Sequence, residues 1–279
     1  MDVETVRFGI IGMGNMGAHH ARYFHEVKGA TLDAICDSSA ETLTRMQGEL
    51  KRPLKTFTNA EEMLGSGAID AVLIATPHRE HPAVCLAAFA RGLHVLCEKP
   101  VAVGVKAGRE VTDAYRKQYG QLKFGMVFQQ RTNPRFRRAK ELVASGELGA
   151  IRRITWIVTN WFRPWAYYAM GGWRATWKGE GGGVLINQCP HNLDIVQWLM
   201  DEMPARVTAV ARVGKTHPIE VEDEVSAIFE FPSGAVGQFI TTTGEAPGTD
   251  RLEIAGDKGR LIIEGGKMGF TRNYLQDGA

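Results

Sequence analysis

Six residues constrain this chain more than any others: Gly12-Met13-Gly14-Asn15-Met16-Gly17. They follow an apolar run, residues 6–11, and open a helical pattern over residues 16–27. The hexapeptide alone is a weak signal. Between a strand and a helix it has a physical meaning. The first glycine makes the tight turn, the second lets backbone approach a pyrophosphate, and the third lets helix and strand pack closely. Backbone N–H groups at the helix start then face the phosphates. The expectation is a dinucleotide site on Gly12, Gly14, Asn15, Met16 and Gly17.

The surrounding pattern fits. Apolar runs recur at 31–36, 71–75, 93–97 and 124–127, with helical patterns at 40–50, 80–91 and 105–119 between them. Such alternation predicts βαβ units and a doubly wound parallel sheet over residues 1–127. The pattern then changes. Residues 134–145 read as a helix ended by Gly146, and 151–161 as a long strand. Strands at 206–213, 221–231, 235–243, 251–255 and 260–264 are joined by short links, including turns at 232–234 and 256–259. Short links predict a mainly antiparallel open sheet. The expected fold class is α/β: a Rossmann domain followed by an α+β domain over 128–279.

Composition removes several function classes. A net charge of +2 over 279 residues argues against nucleic acid or a membrane surface as partner. No apolar run is long enough to span a bilayer, and Met1-Asp2-Val3-Glu4-Thr5 lacks the basic start of a secretory signal. Cys36, Cys85, Cys97 and Cys189 are scattered, with no Cys-x-x-Cys pair. They read as reduced thiols of a cytoplasmic protein, not as disulfides or metal ligands.

Candidate site residues lie at strand ends. Asp37 stands twenty residues past Gly17, where an acidic group binds a ribose 2′-OH, with Ser38 beside it. No basic residue follows directly, which favours NAD, with NADP as the alternative. Asp37 can equally be a helix N-cap, and both roles are compatible. Thr76, Pro77, His78 and His81 follow the third long strand. Either histidine reads as a cofactor contact or as part of a helix start. Glu98-Lys99-Pro100 follows the next strand, where Lys99 could assist a hydroxyl or relay a proton and Glu98 could orient it. A solvated loop pair is the plain alternative.

Two further stretches stand out. Residues 161–177 hold four of the six tryptophans, interleaved with arginines. Trp161, Arg163, Tyr167, Trp173, Arg174 and Trp177 suit stacking on a sugar and bonding its hydroxyls, or an aromatic subunit interface. On one continuous helix through 180–194, Asn187, His191, Asp194 and Trp198 would share a face. That face is either solvated or a catalytic wall, and Pro190 could interrupt it.

Together, Gly12–Gly17, Ala75-Thr76-Pro77-His78, Glu98-Lys99-Pro100 and Gly181-Gly182-Gly183 with Asn187, His191 and Asp194 resemble the glucose–fructose oxidoreductase / inositol dehydrogenase / MocA (Gfo/Idh/MocA) family. The resemblance spans most of the chain and is nearest to members acting on sugars, inositols or anhydrosugars such as levoglucosan. It implies Lys99 as the active-site lysine and His191 as the general acid/base. Asn187 stands where many members carry an aspartate. An amide cannot take a proton, so His191 is expected to act alone as base, with Asn187 and Lys99 positioning the alcohol. Family members usually continue through further strands and helices, so part of the C-terminal domain is expected to lie beyond these residues. The expected activity is oxidation of a secondary hydroxyl with NAD. An NAD-dependent glycosidase using transient oxidation and elimination is one alternative. A non-catalytic cofactor-binding sensor is another. A homo-oligomer formed through the C-terminal sheet is expected.

Overall fold

The computed structural model describes residues 5–169 and 172–274. Met1–Glu4, the start of the N-terminal stretch compared with a secretory signal, lies outside the described residues. The chain divides into two compact units, Met1–Val127 and Phe128–Ala279.

The first unit runs β1 (Val6–Ile11), α1 (Asn15–Tyr23), β2 (Ala30–Cys36), α2 (Ala40–Leu50), β3 (Lys55–Phe57), α3 (Ala60–Gly65), β4 (Ala71–Ile74), α4 (His81–Ala90), β5 (His94–Cys97), α5 (Val105–Gln118) and β6 (Phe124–Met126). The strands form one parallel sheet in the order β3-β2-β1-β4-β5-β6. Strand order reverses between β1 and β4, and ligands of such sheets bind in the crevice at that switch point. All four residues of β4 are buried, as expected for a strand covered on both faces.

Local chemistry sets the helix starts. The Ser39 hydroxyl accepts from Thr42 N–H at the start of α2, and Asn59 accepts from Glu61 and Glu62 N–H at the start of α3. Such caps are worth about 1 kcal/mol each. Two elements of this unit were not expected: the three-residue β3 and the six-residue α3, both too short for a periodic signal. The helix expected over 16–27 ends at Tyr23 and passes into a 3-10 turn, Phe24–Glu26, where Phe24 enters the core.

The second unit contains α6 (Pro134–Ala144), β7 (Ile151–Val158), α7 (Trp165–Ala169), α8 (Val184–Asn187), α9 (Pro190–Met200), β8 (Arg206–Val213), β9 (Glu222–Glu230), β10 (Val236–Thr242), β11 (Asp250–Gly256), β12 (Gly259–Glu264) and β13 (Lys267–Arg272). The sheet order is β13-β12-β11-β7-β10-β9-β8. Its links are antiparallel except one: β7 pairs parallel with β10. The long excursion between them, which carries α7, α8 and α9, permits that parallel pair.

One face of this sheet holds the core. Trp156, Phe239, Leu252 and Ile254 pack with Phe136 and Leu142 of α6 and Ile195 and Leu199 of α9. Each fully buried side chain of this kind contributes about 1.5–3 kcal/mol of transfer free energy. The other face leaves Val210, Ile228, Val236 and Ile240 exposed. Among the described residues no helix is long and apolar enough to cross a membrane.

The continuous 180–194 helix expected from the sequence does not form. α8 ends at Asn187, and Pro190 occupies the first turn of α9. Proline has no N–H to give a preceding turn, so it starts a helix more readily than it continues one. Asn187 and His191 therefore sit on separate helices.

Candidate active site

In the first unit, the glycine loop leaves β1 at the switch point. Gly12 has φ +90°, and a Cβ there would lie 2.6 Å from the Ala75 carbonyl oxygen. A Cβ on Gly17 would overlap the Gly12 carbonyl oxygen. Both positions require glycine, one for its backbone and one for close packing. Gly14 differs: nothing lies within 4 Å of a Cβ built there. It also precedes α1 as an N-cap without a side-chain cap. Open space beside uncapped N–H groups fits a phosphate ligand. Asn15 and Met16 are exposed on the same turn.

Asp37 follows β2. Its Oδ2 accepts from Met13 N–H at 2.8 Å and its Oδ1 from Ser39 N–H at 2.9 Å. The N-cap of α2 is Ser39, so Asp37 ties the glycine loop to the end of β2 instead of capping the helix. Half-buried, it keeps lone pairs for ribose hydroxyls. Ser38 is exposed next to it.

Thr76, Pro77 and His78 follow β4, on the other side of the switch point. His78 is buried, and its ring centroid lies 5.9 Å from that of His81. His81 was one of two candidates for touching the cofactor. It is 0% exposed, with Nδ1 2.6 Å from the Pro100 carbonyl and Nε2 2.9 Å from the Thr76 carbonyl. It staples the loop after β4 to the loop after β5, leaving no edge for a ligand.

Glu98 and Lys99 follow β5. Glu98 was expected to orient Lys99, and its buried carboxylate is also claimed by His20 of α1, with Nε2 2.7 Å from Oε1. Burial pushes this carboxyl up. The His20 hydrogen bond, the charges of His20 and Lys99 and the Lys99 N–H outweigh it and hold the group below its ordinary value. Lys99 is half-buried at the ligand edge of the sheet, before a cis bond to Pro100.

In the second unit, the aromatic segment forms a stack. The Arg163 guanidinium lies over the rings of Trp161 and Tyr167, at 5.5 and 5.1 Å. That of Arg174 lies over Tyr167 and Trp173, at 5.1 and 4.7 Å. Trp177 is exposed, with its backbone N–H donating to the Glu220 carboxylate. Asn187 and Gln188 reach the Tyr167 hydroxyl from α8, at 3.3 and 3.5 Å. Asn187 also donates to Glu180.

His191 stands in the first turn of α9, 9% exposed, edge-on to Phe128 with ring centroids 5.9 Å apart. Asp194 and Trp198, read as part of either a solvated face or a catalytic wall, both meet Arg131. Arg131 grips Asp194 with two hydrogen bonds of 2.7 and 2.6 Å, and lies over Trp198. The sequence reading missed His20, Arg131 and Glu180. Only Glu180 had a signal: an acidic residue placed directly before three glycines.

Comparison with known proteins agrees with this layout. Residues 6–126 match a family model described as an oxidoreductase family, NAD-binding Rossmann fold. Residues 136–262 match the model of the GFO/IDH/MocA C-terminal domain. An inositol 2-dehydrogenase of Rubrobacter xylanophilus is 30% identical over 270 residues, covering 94% of this chain and 72% of the relative. A 1,5-anhydro-D-fructose reductase of Ensifer adhaerens is 27% identical over 256 residues, covering 92% of this chain and 75% of the relative. The crystal structure of the WlbA dehydrogenase from Chromobacterium violaceum, in complex with NADH and UDP-GlcNAcA, aligns with a TM-score of 0.89 at 26% identity. That match covers 99% of this chain and 80% of the other.

Proposed function

The chain belongs to the GFO/IDH/MocA family of NAD-binding oxidoreductases, and from that premise we propose that it oxidises a secondary hydroxyl of a sugar, inositol or anhydrosugar. The observation that carries the reading is the placement of Lys99. It follows β5 at the ligand edge of the same sheet whose switch point opens at Gly14.

The residues of the first unit fit NAD. Gly12, Gly14, Asn15, Met16 and Gly17 would take the pyrophosphate, and Asp37 and Ser38 the ribose. Thr76, Pro77, His78, Glu98 and Lys99 would border the nicotinamide half. When bound, NAD supplies the hydride acceptor. His191 takes the hydroxyl proton as general base. Lys99 donates to the alcohol oxygen and stabilises the negative charge that develops there. Asn187 holds the substrate by hydrogen bonding, and Arg163, Tyr167, Trp173 and Arg174 provide a surface for an apolar ring face with hydroxyls at its edge.

The test is His191→Ala, assayed by NADH absorbance against a panel of inositols, monosaccharides and anhydrosugars. Turnover should fall roughly a hundredfold or more while NAD affinity stays unchanged. Unaltered turnover would refute the assignment of His191.

The exposed face bearing Val210, Ile228, Val236 and Ile240 supports contact with a second copy of the chain. A monomeric mass by light scattering would remove that part of the reading. Four buried free thiols are consistent with a reducing, cytoplasmic setting.

A further inference from the structure

The segment from Trp161 to Gly179 carries three basic side chains, Arg163, Arg174 and Lys178, and no acidic one. Two of these cations lean on one ring: the guanidinium carbons of Arg163 and Arg174 each stand 5.1 Å from the Tyr167 centroid. A guanidinium is always charged. Two like charges held on one ring repel, and half-burial weakens the screening by water. Arg131, stacked on Trp198 in the same unit, is neutralised by Asp194. Among the described residues, neither Arg163 nor Arg174 has such a partner. Glu180 accepts from Ala175 N–H and Glu220 from Trp177 N–H, and no ion pair joins either carboxylate to the two guanidiniums. Arg163 Nη1 donates to the Phe162 carbonyl and Arg174 Nη1 to the Tyr167 hydroxyl, which leaves Nη2 of each without a protein acceptor. Two more donors, Arg163 Nε and Trp161 Nε1, are buried with no acceptor. The stack therefore holds positive charge and N–H donors in excess of what the surrounding residues answer.

We propose that the sugar this protein oxidises is anionic, and that Arg163 and Arg174 read its oxyanion, the carboxylate of a sugar acid or the phosphate of a sugar ester. The proposal rests on the reading that the aromatic stack faces the substrate. One such group supplies both things the stack lacks, negative charge and acceptor oxygens. The forked edge of a guanidinium matches the paired oxygens of a carboxylate or a phosphate. A neutral sugar leaves both charges without a partner. It forgoes at least one charge-assisted hydrogen bond, a difference of about tenfold or more in affinity.

Matched probes test this with NAD present: D-glucuronate against D-glucose, D-galacturonate against D-galactose, and D-glucose 6-phosphate against D-glucose. Binding is followed by quenching of tryptophan fluorescence, which does not depend on turnover, and oxidation by NADH absorbance. At least one anion should bind about tenfold or more tighter than its neutral parent. A preference confined to the uronates identifies a sugar acid, and one confined to the phosphate identifies a sugar ester. Neutral parents that bind as well as every anion overturn the proposal.

Arg163→Gln and Arg174→Gln remove the charge and keep an amide donor. Each should lower the anion-to-neutral affinity ratio about tenfold, toward one, with NAD affinity unchanged. Arg174→Lys keeps the charge and loses the fork, and its ratio should fall between. A ratio left unmoved by either glutamine substitution means that this arginine only braces the aromatic segment, and overturns the proposal. Where a glutamine variant does not fold, the lysine variant and the wild-type ratio decide. If His191→Ala is inactive while neutral parents match the anions, only this inference fails. If His191→Ala is fully active on an anion that Arg163 and Arg174 select, the functional reading loses its base and this inference stands.

Discussion

His20 Nε2 lies 2.7 Å from Glu98 Oε1, joining the helix that follows the glycine loop to the segment that carries Lys99. The glycine-loop helix and the Lys99 segment therefore share one part-buried contact. Glu98 is held below its ordinary value of 4.5, because the His20 bond outweighs the upward push of burial. The folded-state value is the lower one, so the contact stabilises fully above that ordinary value and is lost as pH falls through the folded value. Urea unfolding from pH 7 to 3 should show a steeper loss below pH 4.5 in the wild type than in Glu98→Gln. His20→Ala should cost about 1–3 kcal/mol at pH 7, since it strips a buried carboxylate of its main partner.

The glycine loop separates folding from binding. Gly17→Ala should destabilise the first unit, because the new methyl overlaps the Gly12 carbonyl. Gly14→Ala meets open space and should leave the melting temperature nearly unchanged. It should nevertheless weaken NAD binding tenfold or more, roughly 1.4 kcal/mol, by occupying room the pyrophosphate needs. Calorimetry with and without NAD reads both effects. Equal NAD affinity in Gly14→Ala would mean the phosphates bind elsewhere.

Asp37 should decide cofactor choice. Asp37→Ala removes the negative charge proposed to face the ribose and the bond from Met13 N–H. A charged hydrogen bond is worth about 1.5–3 kcal/mol. The kcat/KM for NAD should fall about tenfold or more, and the NAD-to-NADP ratio should narrow. An unchanged ratio in parallel assays would assign ribose recognition to another group.

Arg131 and Asp194 form a structural clamp between the 3-10 turn after β6 (Gln129–Thr132) and α9. Arg131→Lys keeps the charge but loses the two-pronged geometry. It should cost about 1–2 kcal/mol, less than a fully buried pair, because Arg131 is partly exposed. The expected loss is read in thermal unfolding, with NAD affinity unaffected. An equally stable variant would mean the clamp contributes nothing beyond charge.

The legible parts of this protein were those with local periodicity or a local backbone requirement. β1, the glycine loop and α1 announce themselves through apolar runs and through glycines needed for φ and for packing. The strands after residue 206 were legible through alternation and turn residues. β3 and α3 were not, because three and six residues carry no usable period. The parallel pairing of β7 with β10 was not either, since strand order between distant segments leaves no local trace.

The same division runs through the site. Sequence alone determined which chemistry the chain carries: a glycine loop before a helix, Asp37 after the second strand, Lys99 after a later one, and an asparagine where an aspartate is usual. Only the tertiary structure decided how those groups are used. Pro190 started a new helix and separated Asn187 from His191. His81 turned into a staple, Asp194 into half of a clamp, and Glu180 into the partner of Asn187. Hydrogen bonding explains the difference. Backbone conformation and residue type are local properties, whereas the partner of a buried polar group is whichever donor or acceptor the fold brings within 3 Å.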